Sequence, residues 1–220
     1  MELIYKGTTK DVYKIDENHF VLQFKHVLSD QGVTSHNNVG TTTEIMNASH
    51  SLTTYFYKRL KAIDIPTYYL SSNMEEATIT VKPTTLIGNG LIVLCQFPSA
   101  NTLWHYDQNG HELEDVVSIS YFEDEHQNDS IAKSILFEKG ILSKDEERSL
   151  ELLSIDISNF VRTELAKKGL KLHEIKLKFG RDTQNGDLLL IDEISGQNII
   201  AYQDAKYINP LLLDKILLNK

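Results

Sequence analysis

The amino-acid sequence predicts an α+β fold, in which strand-rich segments and long helices occupy separate stretches of the chain. Three observations lead to this prediction. Short apolar segments separated by turns fill residues 3–24, and two segments with helical periodicity follow, near 43–63 and after residue 143. Residues 170–196 then have the pattern of two strands joined by a turn.

The N-terminal region is predicted to form three strands and a helix. The strand candidates are residues 3–5, 12–15 and 20–24. Residues 25–42 are rich in Ser, Asp, Gly, Asn and Thr, which predicts a loop. Thr41 and Glu44 have the spacing of a capping box for a helix near 43–63, and Pro66 lies just beyond its end.

The middle and the C-terminal part are predicted to hold further strands and two helices. The strand candidates here are residues 67–70, 77–82 and 90–96. Residues 98–115 have no regular pattern. Ser143 and Glu146 have capping-box spacing, and the amphipathic helix that they open is expected to end at Gly169. A last amphipathic helix is predicted near 210–218.

The segment 170–196 is the most informative part of the chain. Its apolar and basic residues alternate as in a half-buried strand: Ile175, Lys176, Leu177, Lys178 and Phe179. Asn185-Gly186 is a turn dipeptide, and the apolar run 188–191 predicts a buried strand that ends in Asp192 and Glu193. A buried carboxylate needs a partner, and a divalent metal that holds nucleotide phosphates is one such partner. Two solvated surface acids are the alternative interpretation.

The composition excludes several classes of protein. With 220 residues, 41% of them apolar and 24% charged, the chain suits one large domain or two small lobes. A net charge of −9 argues against a nucleic-acid surface, and no run of apolar residues is long enough to predict a membrane span. Cys95 is the single cysteine, so no intrachain disulfide is expected. A cytoplasmic location is the simplest expectation.

Four segments, taken together, resemble the SAICAR synthetase family. Residues 176–182, KLKFGRD, and residues 192–195, DEIS, are similar to the family patterns D-F-K-L-E-F-G-R-D and D-E-F-S-P-D. Residues 3–13, LIYKGTTKDVY, are similar to the family's opening L-Y-x-G-K-A-K-x-V-Y. Ile65-Pro66-Thr67 and Val81-Lys82 also match in order and approximate spacing.

The resemblance implies a two-lobed α+β fold with a nucleotide-binding cleft between the lobes. Residues 1–83 would form a β-rich nucleotide-binding lobe, and residues 84–220 would form an α/β lobe that carries the metal and substrate sites. It also implies an ATP- and Mg²⁺-dependent ligase of purine biosynthesis, which joins a carboxylic acid to an amine through an acyl phosphate. The expected partners are small-molecule acid and amine substrates, and homo-oligomerisation is left open.

The resemblance assigns roles to residues that match the family's motifs. Lys176 and Asp192 are the candidate catalytic residues, and the candidate metal ligands are Asp192, Glu193 and Glu174. The candidate nucleotide-binding residues are Gly7, Thr8, Lys10, Lys25, Lys82 and Lys178. The candidate substrate-binding residues are Asn128, Asp129 and Ser195. The alternatives are an ordinary hairpin turn at residues 7–10, a lysine at position 82 that only protects a strand edge, and a solvated loop around residue 128.

The chain also departs from the family's pattern. Thr8 stands where the family usually has lysine, and Lys178 stands where it has an acid, for which Glu174 is a substitute. Two arginines that grip a ribotide phosphate in the family align with Cys95 and Ile200. Their loss predicts a ligase that acts on an acid other than the SAICAR precursor.

Three alternatives to this prediction remain. They are a genuine SAICAR synthetase, a nucleotide-binding protein without catalysis, and a kinase-like phosphotransferase, against which the absence of H-R-D and D-F-G motifs counts.

Overall fold

The computed structural model describes residues 1–26, 42–97, 117–124 and 129–219. The elements of the first half are β1 (Glu2–Lys6), β2 (Lys10–Lys14), β3 (Phe20–Phe24), α1 (Thr42–Ala62), β4 (Tyr69–Asn73), β5 (Thr78–Val81), β6 (Thr84–Leu86) and β7 (Ile92–Gln96). Those of the second half are β8 (Ser118–Phe122), α2 (Lys133–Glu138), α3 (Lys144–Ala166), β9 (Lys171–Asp182), β10 (Leu188–Ile191), β11 (Ile199–Gln203), β12 (Lys206–Tyr207) and α4 (Pro210–Leu218).

The strands form two sheets. The first sheet has the order β1-β2-β3-β5-β4, and all of its neighbouring strands are antiparallel. The second sheet has the order β12-β11-β9-β7-β8, and β10 and β6 also pair with β9. Antiparallel pairing with separate helical segments confirms the predicted α+β class.

The chain divides into two compact units, and each is discontinuous in sequence. The first unit consists of Met1–Thr85, Gly180–Asn198 and Ile208–Lys220. The second consists of Leu86–Phe179 and Ile199–Tyr207. The segment that carries Asp192 and Glu193 therefore belongs to the same unit as β1 to β5. The division into lobes between residues 83 and 84 stays a prediction.

The core of the first unit is organised around α1. Leu52, Phe56 and Leu60 recur every four residues on one face of this helix and are fully buried. The helix packs against α4 and β4. The predicted helix near 43–63 is thus confirmed, whereas its predicted cap, Thr41, lies outside the described residues.

The core of the second unit is organised around α3, which packs on β7. The predicted capping box at its start is confirmed, because the Glu146 amide donates to Ser143 Oγ at 3.1 Å and the Ser143 amide donates to Glu146 Oε2 at 2.9 Å. Gly169, with φ of +70°, follows the helix. Cys95 is fully buried in β7, and burial raises the pKa of its thiol to about 12.

The predicted hairpin at residues 170–196 is confirmed as β9 and β10. Ile175, Leu177 and Phe179 are buried, and Gly186 adopts a φ of +80° in the turn. The sequence did not predict β6, β8, α2, β11 or β12. These elements have two to six residues. No helix in the described ranges is both long enough and apolar enough to cross a membrane.

Gly196 is predicted to be required for the packing of α4. A Cβ atom at this position would lie 2.5 Å from the carbonyl oxygen and 2.7 Å from the Cα of Pro210. Since these are backbone atoms, we expect Gly196→Ala to lower the free energy of unfolding by about 3 kcal/mol, measured by denaturant titration. Gly186→Ala is the control, because a Cβ there meets no atom within 4 Å and the cost is limited to backbone strain of about 1 kcal/mol. Equal losses in the two variants would contradict the prediction.

Candidate active site

Two adjacent acids, Asp192 and Glu193, lie directly after β10. Asp192 has a φ of +67°, a left-handed conformation that is uncommon for a residue other than glycine. Its backbone carbonyl accepts hydrogen bonds from two tyrosine hydroxyls, from Tyr57 at 2.8 Å and from Tyr68 at 3.0 Å. The Asp192 side chain is 17% exposed, whereas Glu193 is buried.

Lys10 is brought to these acids by the turn between β1 and β2. The Gly7 amide donates to the Lys10 carbonyl at 3.1 Å, and a Cβ on Gly7 would lie 2.5 Å from the same oxygen. Only glycine fits this turn without a shift of the backbone. The Lys10 ammonium lies 2.5 Å from Asp192 Oδ1 and 3.6 Å from Glu193 Oε2.

The charges of this cluster shift the pKa values of its members. Burial lowers the pKa of Lys10, but the charges of Asp192 and Glu193 outweigh it, so the net effect is a raised pKa and a lysine that stays protonated. Burial also raises the pKa of Glu193, and Lys10 opposes that shift while Asp192 adds to it. Among the described residues, no hydrogen-bond donor satisfies Glu193 Oε2. A further cation would supply a partner for this oxygen.

The residues present fit a magnesium ion that is completed by a nucleotide. Mg²⁺ takes oxygen ligands and is commonly held by one or two carboxylates together with phosphate oxygens and water. Asp192 and Glu193 supply two such carboxylates. Within the described parts of the chain, no three His, Cys, Asp or Glu side chains converge into a metal site.

Lys25 braces the turn that carries Lys10. Its ammonium donates to the Gly7 carbonyl at 2.6 Å and to Asp11 Oδ1 at 2.7 Å, and its amide donates to the Thr9 carbonyl at 2.9 Å. Thr8, at the tip of the turn, is exposed. The predicted contact of Lys25 and Thr8 with nucleotide stays a prediction.

Lys82 is paired with an acid in the same unit. Its ammonium lies 3.1 Å from Asp182 Oδ2, and its amide donates to the Tyr68 carbonyl at 2.7 Å. Hydrogen bonding from the Gln184 amide, together with Lys82, holds the pKa of Asp182 below its ordinary value. Lys82 is thus fixed at the end of β5, and its role toward a nucleotide stays a prediction.

Three further candidates lie on β9, in the second unit. Glu174 Oε2 accepts a hydrogen bond from the side-chain amide of Gln96 at 3.2 Å. Lys176 is exposed, and Lys178 is half-buried opposite Ile92 of β7. Their roles toward metal and phosphate stay predictions.

The substrate-binding candidates are separated in the chain. Asp129 is exposed, whereas Asn128 lies outside the described residues. Ser195 is fully buried, and its hydroxyl donates to Asn198 Oδ1 at 3.2 Å and accepts from the Gln197 amide at 3.1 Å. The Ser195 hydroxyl is therefore used within a local turn and also interacts with the Glu193 carboxylate, and its contact with substrate stays a prediction.

The structure brings together Lys10, Asp192 and Glu193, and Gly7 forms the turn that carries Lys10. Their roles toward metal and nucleotide stay predictions. The structure also shows that the hydroxyls of Tyr57 and Tyr68 donate to the Asp192 carbonyl, which the sequence analysis did not predict. One sequence signal could have indicated Tyr57. A tyrosine on the apolar face of a helix, as Tyr57 is on α1, needs a partner for its buried hydroxyl.

The chain shares its sequence pattern and its fold with known enzymes. A protein-family model described as SAICAR synthetase matches residues 3–215. A phosphoribosylaminoimidazole-succinocarboxamide synthase of Clostridium tetani is 41% identical over 226 aligned positions, which cover 99% of this chain and 100% of that protein.

Solved structures have the same fold. The enzyme of the same name from Ehrlichia chaffeensis superposes with a TM-score of 0.74 at 21% identity, over 99% of this chain and 92% of the other. A SAICAR synthetase in complex with ADP superposes with a TM-score of 0.72 at 25% identity, over 95% and 88% of the two chains.

A two-unit α+β fold with a lysine and an acidic pair suited to metal and phosphate defines a nucleotide-dependent enzyme. The chain belongs to the SAICAR synthetase family. This membership confirms the predicted family and the predicted class of enzyme, an ATP-dependent carboxylate–amine ligase that acts on small molecules. It also supports the expected use of ATP.

The prediction of an acid other than the SAICAR precursor is wrong. The match to the Clostridium tetani synthase runs over the full length of both proteins at 41% identity, which favours the genuine family reaction. The structure supplies the physical reason for the error. Cys95 is a fully buried residue in the middle of β7, so its position is not that of a side chain that grips a substrate phosphate. The segment after β7, at residues 98–116, lies outside the described residues.

Lys10→Met is predicted to destabilise the protein in a pH-dependent way. Removing one member of a fully buried ion pair lowers the free energy of unfolding by about 3–5 kcal/mol. We expect a loss of about 2 kcal/mol here, because the Lys10 and Asp192 side chains are 16% and 17% exposed. Stability from Lys10 is fully present below its unfolded-state pKa of 10.5 and is lost only as the pH rises through the higher folded-state pKa. The measurement is denaturant titration of both proteins at neutral pH and at about pH 4.5, the ordinary pKa of glutamate.

The loss should be largest at neutral pH and smaller in acid, because protonation of Glu193, whose pKa is raised, removes a charge that Lys10 neutralises. Lys14→Met is the control, since Lys14 lies on the same strand but pairs with the exposed Glu17, and little change is expected. A loss for Lys10→Met that is equal at both pH values would contradict the prediction.

Proposed function

We propose that the protein catalyses the SAICAR synthetase reaction, the ATP-dependent joining of carboxyaminoimidazole ribotide to L-aspartate. The observation that carries this proposal is the 41% identity, over the full length of both chains, to a phosphoribosylaminoimidazole-succinocarboxamide synthase. The structure that superposes at 25% identity contains ADP, which supports nucleotide binding by this fold. The proximity of Lys10 to Asp192 and Glu193 supports a phosphate site at the end of β10.

The reaction has two steps. The ribotide carboxylate attacks the γ-phosphorus of ATP, which gives an acyl phosphate and ADP. The amine of aspartate then attacks the acyl carbon, and the C–O bond to phosphate breaks as the amide forms. The protein's task is to position the reactants and to neutralise their charge, as in other phosphoryl transfers.

Asp192 and Glu193 are the residues that would hold magnesium. The ion, when bound, neutralises charge on the phosphates during transfer. The Lys10 ammonium, held 2.5 Å from Asp192, would contact the nucleotide phosphates at this site. The Gly7 turn and the Lys25 brace keep Lys10 at this position.

The remaining site residues belong to this proposal in the roles given by the family resemblance. Thr8, Lys25, Lys82 and Lys178 would contact the nucleotide. Lys176 would face phosphate, and Glu174 would support the metal. Asn128, Asp129 and Ser195 would lie on the substrate side.

The wider setting of the protein is also a proposal. The nucleotide-binding part is assigned to residues 1–83 and the substrate part to residues 84–220. We expect a cytoplasmic location, which accords with Cys95 as the sequence's single cysteine, and homo-oligomerisation is left open.

Turnover with the family's substrates is the first test of the proposal. We expect phosphate release from ATP that requires both the ribotide and L-aspartate, and a product with the mass of the succinocarboxamide. Reactions that lack one substrate, and reactions with phosphate-free carboxylic acids, are the controls. ATP binding in calorimetry without any such product would contradict the proposed reaction and favour a nucleotide-binding protein.

Asp192→Asn is predicted to lower kcat/KM by about a hundredfold or more, because the amide cannot neutralise a cation at the phosphates. The fold should be retained, since Glu193 keeps Lys10 as a partner. The matched control is Asp187→Asn, an exposed acid in the turn of the same hairpin, which should keep full activity. Circular dichroism and thermal melts check the fold of both variants. Wild-type activity in Asp192→Asn would remove Asp192 from the site.

A further inference from the structure

Two tyrosine hydroxyls hold the backbone at Asp192. Tyr57 comes from the interior of α1, and Tyr68 comes from the residue before β4. Both rings are buried, and their centroids lie 5.7 Å apart. Each hydroxyl donates to the same atom, the carbonyl oxygen of Asp192, at 2.8 and 3.0 Å.

The two tyrosines are themselves fixed by separate elements. Tyr57 also stacks on Tyr69, with centroids 5.7 Å apart and an interplanar angle of 11°. The Tyr68 amide donates to the Leu190 carbonyl at 3.1 Å, and the Tyr68 carbonyl accepts from the Lys82 amide at 2.7 Å. The carbonyl is therefore held by residues of two separate segments, α1 and the residue before β4.

This arrangement coincides with the strained residue of the site. A left-handed conformation is uncommon at a residue with a Cβ and persists only where the surroundings over-determine it. Asp192, with φ of +67°, is such a residue. Its carbonyl oxygen belongs to the peptide plane that joins it to Glu193, so fixing this oxygen fixes the direction in which both carboxylates leave the backbone.

We propose that Tyr57 and Tyr68 are positioning residues, which hold the peptide between Asp192 and Glu193 so that both carboxylates face Lys10 and the metal–nucleotide. The inference rests on the proposed role of Asp192 in that site. Neither tyrosine is proposed to touch substrate, since both hydroxyls are directed at the backbone. Thr53 Oγ1 on α1 donates a hydrogen bond to the Ile194 carbonyl at 3.4 Å, so α1 also holds the backbone two residues beyond Asp192.

The experiment compares three substitutions that each remove one hydroxyl and keep the ring: Tyr57→Phe, Tyr68→Phe and Tyr69→Phe. Tyr69→Phe is the matched control, because Tyr69 is equally buried and packs on Tyr57, but its hydroxyl bonds to Ser72 Oγ at 3.1 Å. The first readout is amide hydrogen exchange of peptides that cover residues 189–196 in the nucleotide-free protein. Peptides from β7 are the internal reference.

We expect exchange in residues 189–196 to be about fivefold faster in Tyr57→Phe and in Tyr68→Phe, the factor that corresponds to one hydrogen bond of about 1 kcal/mol. We expect no change in Tyr69→Phe or in the β7 peptides. The second readout is calorimetric binding of MgADP, which should weaken by a similar factor in the first two variants only. A purely structural role would lower the melting temperature and leave the affinity of the folded protein unchanged, and that result would overturn the inference.

Asp192→Asn, titrated with MgADP in the same series, separates the inference from the proposed function. If Asp192→Asn binds MgADP as the wild type does, the proposed metal site is wrong. The exchange data still decide whether the tyrosines hold the segment. If Asp192→Asn loses binding while Tyr57→Phe and Tyr68→Phe behave as Tyr69→Phe does, the positioning inference alone is wrong. Should one tyrosine variant fail to fold, the other decides between these outcomes by the same two readouts.

Discussion

The ion pair between Lys10 and the acids after β10 is the interaction on which the first unit depends. Two adjacent carboxyl groups, one of them buried, cannot be removed from water without a counter-charge. The counter-charge comes from the other end of the chain, on the first hairpin. The contact therefore joins the N-terminal strands to the segment 180–198, and it places the one charged group of the turn beside the acids that suit a metal.

Two different polar arrangements converge on this contact. On one side, Gly7 permits the tight turn and Lys25 ties its carbonyl groups, so Lys10 starts β2 in a fixed position. On the other side, Tyr57 and Tyr68 hold the Asp192 carbonyl. Two hydrogen bonds of about 1 kcal/mol each are of the same size as the backbone strain at Asp192, about 1–2 kcal/mol, so the pair is sufficient to keep the strained conformation populated.

Local patterns in the sequence predicted the elements whose stability is local. The capping box at Ser143 and the alternation in β9 depend on neighbouring residues, and both are found as predicted. The tyrosine pair, the Lys25 brace and the ion pair of Lys82 join residues far apart in sequence, and no local pattern encodes them. The wrong substrate prediction has the same origin. A short motif match placed a substrate-binding arginine at Cys95, whereas the fold makes that position the interior of a strand.

The threonine at position 8, where the family usually has lysine, affects the charge of the turn. The family pattern has two lysines in the turn, and here the turn contains Lys10 as its single lysine. A cation that binds Asp192 and Glu193 would lie next to the Lys10 ammonium, and the two positive charges would repel each other. The negative charge of nucleotide phosphates relieves that repulsion. We therefore expect metal and nucleotide to bind together and not separately. The Lys10 ion pair stabilises the ligand-free protein, so the binding free energy of the ligands must offset any weakening of that pair.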